Sequence, residues 1–358
     1  MDGINQKLQD LLDKQIGKGY IRSVVAAVQS CDRRVDFSGA SGIANHETGT
    51  SMTPDTPYFI ASLSKTYTAA IVMRLDEQRL LDLDAPITEY LPDSMIDGIH
   101  VYKGVDYSAQ IKVSNLIEHS SGLPDHESGK PAGGKSLMDE LKAGIDREVS
   151  NQEAVEITRG LKPLFPPGAP GKAYYSNTNY RLLAEIITSI SGKSMAEAYQ
   201  EFICSPLGLE HTYLFDWTAS RTGLTPATVY LKEKPAHVPK YLSSNVSDGG
   251  LVSTAAECLT FLRAFFEGQL FKKSLLEWMM NWNSIFFPMR YGYGLMYFRL
   301  PRYFWFTPLP EFIGHSGSTG SFAFTCPSRS LYLAGTLNQL ASPQKPFTFM
   351  ISLVRAAG

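Results

Sequence analysis

A serine and a lysine three positions apart, Ser62 and Lys65, are the residues of this sequence best suited to chemistry. Residues three apart in a helix lie on one face, a single turn from each other. A serine hydroxyl is a weak nucleophile that needs a nearby base, and a lysine can be that base where burial and positive surroundings lower its pKa. Ser64 would point to the opposite side of the helix. The spacing favours Ser62 as nucleophile and Lys65 as base, although an ordinary first turn of a surface helix gives the same pattern.

A tyrosine and an asparagine, Tyr175 and Asn177, form a second candidate group. The phenol of Tyr175 could relay a proton to a leaving group. The amide of Asn177 offers a donor and an acceptor for orienting Lys65 and a substrate carbonyl. Taken alone, a Tyr-x-Asn sequence before a helix is usually a capping turn.

The third group is His315-x-Gly317, at the end of a predicted strand. A glycine there would let a substrate approach the backbone closely. The main-chain amides of Ser62 and Ser318 could then form an oxyanion hole. A lone histidine on a strand can also be purely structural.

These three groups occur in an order that resembles the serine β-lactamase and penicillin-binding superfamily. The version with Tyr-x-Asn as second motif is similar to the branch of class C β-lactamases, D-alanyl-D-alanine peptidases, D-aminopeptidases and β-lactamase-like esterases. The matching segments extend over nearly the whole chain, at residues 60–65, 119–124, 165–168, 175–180, 249–254, 291–294 and 314–317. Residues 247–249 are a rival second motif, but they adjoin a segment that looks structural.

The resemblance implies a serine hydrolase that works through an acyl-enzyme, without metal or cofactor. Ser62, Lys65 and Tyr175 would be catalytic. The residues implied to bind the substrate or its oxyanion are Asn177, His315, Gly317 and Ser318. A catalytically inactive sensor of the same fold is a further alternative, but a binding module has no need of the complete catalytic set.

The substrate expected is a small carboxylic ester, cleaved by a carboxylesterase. His315 stands where β-lactamases of this branch carry lysine, which argues against strong carboxylate binding. An aromatic stretch before His315 would favour an apolar acyl group if it lines the pocket: Phe286, Phe287, Tyr291, Tyr293, Tyr297, Phe298, Tyr303, Phe304, Trp305 and Phe306. A D-stereospecific aminopeptidase, a D-alanyl-D-alanine carboxypeptidase-like amide hydrolase and a weak β-lactamase remain alternatives.

The secondary structure predicted around these residues indicates an α+β fold. Strands are predicted at 23–29, 34–39, 291–298, 312–316, 321–325 and 331–337, and helices at the N-terminus, from Ser62, and near 113–119, 151–161, 180–191 and 347–355. The economical arrangement is one antiparallel sheet built from both termini and flanked by helices, with a helical insertion. We expect one catalytic unit over 1–358, with an α/β subdomain at about 1–60 and 240–358 and a mostly helical subdomain at about 61–239.

The composition and charge of the chain argue against several classes of partner. The net charge of −2 gives no basic face for nucleic acid. The four cysteines lack metal-ligand spacing and are expected to be buried. The apolar runs fall short of the ~20 residues of a membrane span, and residues 1–8 lack a signal-peptide pattern, so the chain as given is expected to be cytoplasmic. The oligomeric state is left open.

The sequence also offers two other hypotheses, nucleotide binding and metal binding. Residues 129–136, GKPAGGKS, match the phosphate-loop pattern of nucleotide-binding proteins, although no apolar strand precedes them and Pro131 removes a donor. The group Glu118, His119, Asp125, His126 and Glu127 could bind a metal, but its spacing is more typical of a polar loop. Residues 125–136 are polar and rich in glycine, which predicts a surface excursion.

Overall fold

Strands from both ends of the chain form one large antiparallel sheet in the computed structural model, which describes residues 2–219, 225–299 and 310–358. The strands are β1 (Ser23–Ser30), β2 (Asp36–Gly42), β3 (Tyr58–Phe59), β4 (Val101–Tyr102), β5 (Val105–Asp106), β6 (Tyr213–Leu214), β7 (Tyr230–Leu231), β8 (Lys234–Pro235), β9 (Leu251–Ser253), β10 (Asn283–Phe286), β11 (Met289–Tyr291), β12 (Met296–Phe298), β13 (Phe312–Ser316), β14 (Ser321–Cys326) and β15 (Leu331–Thr336). The large sheet has the order β10-β11-β12-β13-β14-β15-β1-β2, so the two ends of the chain meet where β15 pairs with β1.

Helices cover both faces of this sheet. They are α1 (Asp2–Asp13), α2 (Ser64–Glu77), α3 (Asp93–Ile96), α4 (Val113–Ile117), α5 (Leu137–Lys142), α6 (Asn151–Arg159), α7 (Asn177–Ser191), α8 (Met195–Tyr199), α9 (Ser205–Leu207), α10 (Pro239–Ser244), α11 (Ala255–Glu267), α12 (Leu275–Met279) and α13 (Lys345–Ala357). Strands β3, β9 and β6 form a second, small sheet. β3 ends directly before the turn that leads into α2.

Strand β1, which lies between β15 and the edge strand β2, is buried on both faces, and its alternating side chains contribute to two cores. Val24 and Val28 pack in one core with the terminal helices, through residues such as Leu12 of α1 and Leu353 of α13. Val25 joins the other core, which contains the helices of the middle of the chain. Burying each such aliphatic side chain contributes about 1.5–3 kcal/mol. This arrangement confirms the predicted α+β fold with a sheet built from both termini.

Most predicted elements are found, with small shifts at their ends. The helix predicted near Ser62 begins as a 3-10 turn, Ala61–Leu63, and continues as α2 from Ser64. The helix predicted from Tyr180 starts earlier, at Asn177. The division into two subdomains stays a prediction. Among the described residues, no helix combines the length and apolar character needed to cross a bilayer.

The start of the polar segment after Pro124 departs from the prediction. Residues 125–136 were expected to form a surface excursion, and residues 128–135 are exposed or half-buried, but Asp125, His126 and Glu127 are buried. The reason is a long-range contact with the start of α7, where the Asn177 amide donates to Asp125 Oδ1 and the His126 amide donates to Thr178 Oγ1.

Three of the four cysteines are buried as expected, but Cys31 is exposed, so that expectation was wrong for this residue. Cys31 lies directly after β1, which ends at Ser30, in the turn that leads to β2. A turn between two antiparallel strands lies at the edge of the core, which leaves this thiol in contact with solvent.

The turn between β11 and β12 packs directly against α2. Gly294 has a φ of +70°, and a Cβ at this position would lie 2.2 Å from the Cβ of Ala69. Its carbonyl accepts a hydrogen bond from Thr66 Oγ1 at 2.8 Å. Only glycine allows this approach, so Gly294 sets the distance between the hairpin and the helix that follows Ser62.

We expect Gly294→Ala to lower the free energy of unfolding by about 2–4 kcal/mol, because the strained backbone and the overpacking against Ala69 add. Gly171→Ala is the matched control, since Gly171 has a φ of +68° and open space around the added Cβ. The control should lose only about 1–2 kcal/mol. Denaturant titration of both variants measures the difference. Equal losses would show that the hairpin and α2 are not tightly packed here.

Candidate active site

The Ser62 hydroxyl and the Lys65 amine lie on the same side of the start of α2. Ser62 is half-buried, whereas Lys65 is fully buried. Lys65 Nζ is 3.4 Å from Ser62 Oγ and donates to the main-chain carbonyl of Asp248 at 2.8 Å. Ser64 is turned into the protein, where its hydroxyl accepts from the Leu251 amide. The structure therefore brings the predicted nucleophile and base together and excludes the nearest rival serine.

The backbone before Ser62 is in an unusual conformation. Ala61 has a φ of +49°, in the left-handed region that costs a non-glycine residue about 1–2 kcal/mol. The surrounding contacts hold it there, because Thr319 Oγ1 donates to the Phe59 carbonyl and Ser321 Oγ donates to the Ile60 carbonyl. Strain of this kind is typical of positions where the chain must present a reactive side chain.

Tyr175 lies beside the Lys65 amine, which faces the ring of the tyrosine. Lys65 Nζ is 5.1 Å from the centroid of the ring, and the Tyr175 hydroxyl oxygen is buried without a hydrogen-bond partner among the described residues. Burial raises the pKa of Tyr175 above its ordinary value of 10.0, while the charge of Lys65 and the neighbouring Ser62 hydroxyl oppose that rise. The phenol is thus protonated at neutral pH and free to bond with a ligand.

His315 is fully buried, and both of its ring nitrogens are engaged. Nδ1 lies 2.7 Å from the Ser316 carbonyl, and Nε2 lies 3.1 Å from the hydroxyl of Tyr291. The Tyr291 hydroxyl is 3.2 Å from that of Tyr180, which in turn donates to the Ile117 carbonyl. Burial and the charge of Lys65 lower the pKa of His315 to about 3. This histidine is therefore neutral near pH 7.

Gly317 and Ser318 belong to the turn between β13 and β14. A Cβ on Gly317 would lie 2.4 Å from the carbonyl oxygen of Ile60, so a glycine is needed for this turn to pack beside the start of the Ser62 turn. The sequence argument attributed the glycine to substrate approach, whereas the closest contact is with the protein itself. Ser318 is exposed, and its amide has no hydrogen-bond partner in the described parts of the chain. This placement of Ser318 is compatible with the oxyanion hole, which stays a prediction.

Asn177 does not make the expected hydrogen bond to Lys65. Its side-chain Nδ2 donates to Glu127 Oε2 at 2.8 Å, and the Asp248 carbonyl takes the place next to the Lys65 amine. Sequence reasoning erred here because the first residue of α7 points its amide toward the buried 125–127 segment, which the sequence alone did not reveal.

His119 is a site residue that sequence reasoning placed in a polar loop. It is fully buried, and its ring centroid is 4.5 Å from those of Tyr175 and Tyr291. Its Nδ1 is 2.9 Å from Asn179 Nδ2, so the ring proton lies on Nε2, which has no partner among the described residues. Burial and the charge of Lys65 lower the pKa of His119 well below its usual range. The available signal was its place in the segment 119–124.

Asp248 was also missed as a contributor to the site. Its carbonyl holds Lys65, and its side chain forms an ion pair with Arg181 at 3.2 Å, with both side chains 1% exposed. The sequence signal was the rival second motif at residues 247–249, which adjoins a segment that looks structural. That segment contains β9, and the functional contact comes from the backbone just before it.

A cluster of His126, Glu127 and Asp248 brings one potential metal-ligand atom from each residue within 4.8 Å of the others. Burial lowers the pKa of His126 well below its ordinary value, and the positive charges of Arg181 and Lys65 lower it further. Asp248 is already paired with Arg181, and Glu127 accepts a hydrogen bond from Asn177 Nδ2. The cluster therefore fits a buried polar network better than a metal site.

The phosphate-loop reading of residues 129–136 is not supported by the local structure. The segment follows a turn in which the Gly129 amide donates to the Asp125 carbonyl, and no strand leads into it. Ser136 Oγ accepts from the Asp139 amide and caps the short helix α5. A phosphate would find neither the strand nor the free helix start that the motif requires.

The stability of the fold should depend on pH through Glu127. Burial, together with the carboxylates of Asp125 and Asp248, raises the pKa of Glu127 from 4.5 to about 8. The folded protein thus holds this proton more tightly than the unfolded chain, so stability falls as the pH rises from about 4.5 to 8. We expect Glu127→Gln to become more stable relative to the wild type by more than about 1.4 kcal/mol between pH 5 and pH 8, which corresponds to one pKa unit.

Denaturant titrations at the two pH values measure this effect. Glu277→Gln, at an exposed position on α12, is the control and should show no such change with pH. A constant difference between Glu127→Gln and the wild type would mean that Glu127 ionises normally in the folded protein.

Comparison with known proteins extends these observations. The sequence model of the β-lactamase family matches residues 6–349. Teichoic acid D-alanine hydrolase of Staphylococcus aureus is 24% identical over 285 residues, which cover 79% of this chain and 64% of that relative. The chain thus spans less than two thirds of the length of this curated relative.

Solved structures show the same fold. A D-stereospecific amidohydrolase from Streptomyces sp. superimposes with a TM-score of 0.75 at 25% identity, covering 99% of this chain and 98% of that one. A D-amino acid amidase from Ochrobactrum anthropi SV3, complexed with L-phenylalanine amide, gives 0.79 at 24% identity and the same coverage. The hydrolase EstCE1, which has promiscuous acyltransferase activity, gives 0.77 at 19% identity, again with the same coverage. With a β-lactamase-like fold, a paired serine and lysine at the start of α2 and a family match over nearly its whole length, this chain belongs to the β-lactamase family of serine hydrolases.

Proposed function

We propose that this protein is a carboxylesterase that cleaves small esters through an acyl-enzyme on Ser62. The observation that carries the proposal is the position of the buried Lys65 amine, 3.4 Å from the Ser62 hydroxyl and held by the Asp248 carbonyl. A nucleophile and a base within reach of each other are the minimum requirement for acyl transfer. Tyr175, whose buried hydroxyl has no hydrogen-bond partner in residues 2–219, 225–299 and 310–358, completes the set.

In the proposed mechanism, Ser62 Oγ attacks the ester carbonyl carbon while Lys65 takes the hydroxyl proton. The carbonyl oxygen becomes an oxyanion that the amides of Ser62 and Ser318 stabilise. Collapse of this intermediate breaks the bond to the alcohol, which leaves after receiving a proton through Tyr175. A water molecule then attacks the acyl carbon and gives a proton to Lys65 through Tyr175. The bond between Ser62 Oγ and the acyl carbon breaks, Lys65 returns the proton to Ser62, and the carboxylic acid is released.

The state of His315 supports substrates without a carboxylate at this position. β-Lactamases of the branch carry a lysine there, whereas His315 is neutral and its two nitrogens are occupied by Ser316 and Tyr291. A neutral ring already engaged in hydrogen bonds gives little attraction to an anion. Hydrolysis of β-lactams should accordingly be poor.

The aromatic stretch supports the ester assignment less than the sequence suggested. Of its described rings, Tyr291 is in contact with Tyr175 and His315. Phe286 and Phe287 are 58% and 67% exposed, at the turn between β10 and β11. The part comprising Tyr303, Phe304, Trp305 and Phe306 lies outside the described residues. An apolar acyl pocket remains a prediction.

A second candidate is the hydrolysis of D-aminoacyl amides or esters. It is favoured by Glu127, an acidic group hydrogen-bonded to Asn177 next to the site. Its pKa of about 8 leaves it neutral near pH 7, and a substrate ammonium group beside it would favour its ionised form. The names of the similar proteins, a D-amino acid amidase and a teichoic acid D-alanine hydrolase, agree with this class.

One panel of substrates tests both candidates on a single preparation. We expect kcat/KM for p-nitrophenyl butyrate to exceed that for D-alanine p-nitroanilide and for nitrocefin. A fluorophosphonate should form one adduct, which peptide mapping places on Ser62. A preference of more than tenfold for the D-amino-acid amide would replace the esterase assignment, and an adduct on another serine would overturn the site.

We expect Lys65→Ala and Tyr175→Phe each to lower kcat by about 10²–10⁴-fold with little change in KM, because groups that transfer protons act mainly in the transition state. Steady-state kinetics with p-nitrophenyl butyrate provide the measurement. Tyr174→Phe is the matched control, since the Tyr174 hydroxyl faces Ser128 and Asp125. Normal kcat in Tyr175→Phe would assign the proton relay to another group.

A further inference from the structure

Arg181 is a fully buried arginine in the middle of the molecule, on α7, that contacts neither Ser62 nor Lys65 directly. It is 1% exposed, so every donor of its guanidinium depends on protein acceptors. Nε donates to Asp248 Oδ2 at 3.2 Å. The remaining acceptors are Asn245 Oδ1, Asn151 Oδ1 at 3.1 Å, the Ser244 carbonyl and the Val149 carbonyl at 3.3 Å.

Three of these acceptors belong to one short segment, residues 244–248, which we call the 244–248 loop. The loop ends at Asp248, whose carbonyl accepts the hydrogen bond from Lys65. Two more bonds hold it between helices, because Thr68 Oγ1 of α2 donates to the Ser247 carbonyl at 2.7 Å and Ser247 Oγ donates to the Tyr180 carbonyl of α7 at 2.8 Å. The direction of the Asp248 carbonyl is therefore set by Arg181 on one side and by α2 on the other.

We infer that Arg181 is a positioning residue for the Ser62 reaction, acting through the 244–248 loop on the Lys65 amine. This inference rests on the proposed function, in which Lys65 accepts the proton of Ser62. A planar guanidinium can bind several acceptors at fixed angles at once, which a lysine ammonium cannot do in the same geometry. The buried acceptors of the loop are therefore matched to an arginine, and its loss would let the Asp248 carbonyl turn away from Lys65.

Two variants test the inference. Arg181→Lys keeps the positive charge beside Asp248 but loses the fork of donors. The double variant Arg181→Met with Asp248→Asn removes both charges, which avoids leaving one buried charge unpaired if the single variant folds poorly. The control is Arg74→Met on α2, because Arg74 donates to the Phe202 carbonyl away from the site.

Three experiments are made on each protein. Fluorophosphonate labelling gives an amplitude and a rate constant, steady-state kinetics with p-nitrophenyl butyrate give kcat and KM, and a pH series gives the profile of kcat/KM. In both Arg181 variants we expect near-complete labelling amplitude, a labelling rate and a kcat lowered about 10²-fold, and a KM within about threefold of the wild type. The pH profile of kcat/KM should differ from that of the wild type in both Arg181 variants, because the Asp248 carbonyl no longer holds the Lys65 amine in one place. Arg74→Met should keep the wild-type profile.

A merely structural role would lower the labelling amplitude while each labelled site kept the wild-type rate and pH profile, and that result would overturn the inference. Wild-type rates in both Arg181 variants would do the same. Failure of the proposed function is recognised separately, because the wild-type protein would then carry no adduct on Ser62.

Discussion

The hydrogen bond from the Lys65 amine to the Asp248 carbonyl is the interaction on which the site depends. An amine placed in the core loses its hydration, and it is tolerated only where polar atoms replace the lost water. Among the described residues Lys65 forms no ion pair, so its polar environment consists of one carbonyl, the Ser62 hydroxyl and the faces of Tyr175 and Tyr180. A base surrounded in this way is directed at the nucleophile instead of being neutralised by a carboxylate.

This interaction joins parts of the chain that are far apart in sequence. Lys65 and Asp248 are separated by 183 positions, and the turn that carries Ser318 packs against the residues before Ser62 from 260 positions away. The large sheet makes these distances possible, because β13 and β14 belong to the same sheet as β1 and deliver their connecting turn to the start of α2. The fold thus holds three segments around the Lys65 amine: the start of α2, the residues up to Asp248 and the turn between β13 and β14.

What the sequence could reveal depends on whether a feature is set by local patterns or by contacts between distant segments. Periodic apolar patterns predicted the strands of the large sheet and the main helices, since those elements are set by local alternation and burial. The one-turn spacing predicted that Ser62 and Lys65 would meet. Asp248, His119 and the direction of Asn177 escaped prediction, because each depends on a contact between distant segments and leaves no periodic trace. Polar residues such as His126 read as a surface loop for the same reason: in isolation a buried polar network has the composition of an exposed one.

The series of contacts that ends at His315 has a consequence that comes from counting hydrogens. It has four links, from the Ile117 carbonyl through the hydroxyls of Tyr180 and Tyr291 and the imidazole of His315 to the Ser316 carbonyl. Both ends can only accept, so four hydrogens are needed, while two phenols and one neutral imidazole supply three. One link is therefore always empty. The orientation of the two hydroxyls and the imidazole tautomer decide which link is empty, so the row of groups that includes His315 has room for one more hydrogen.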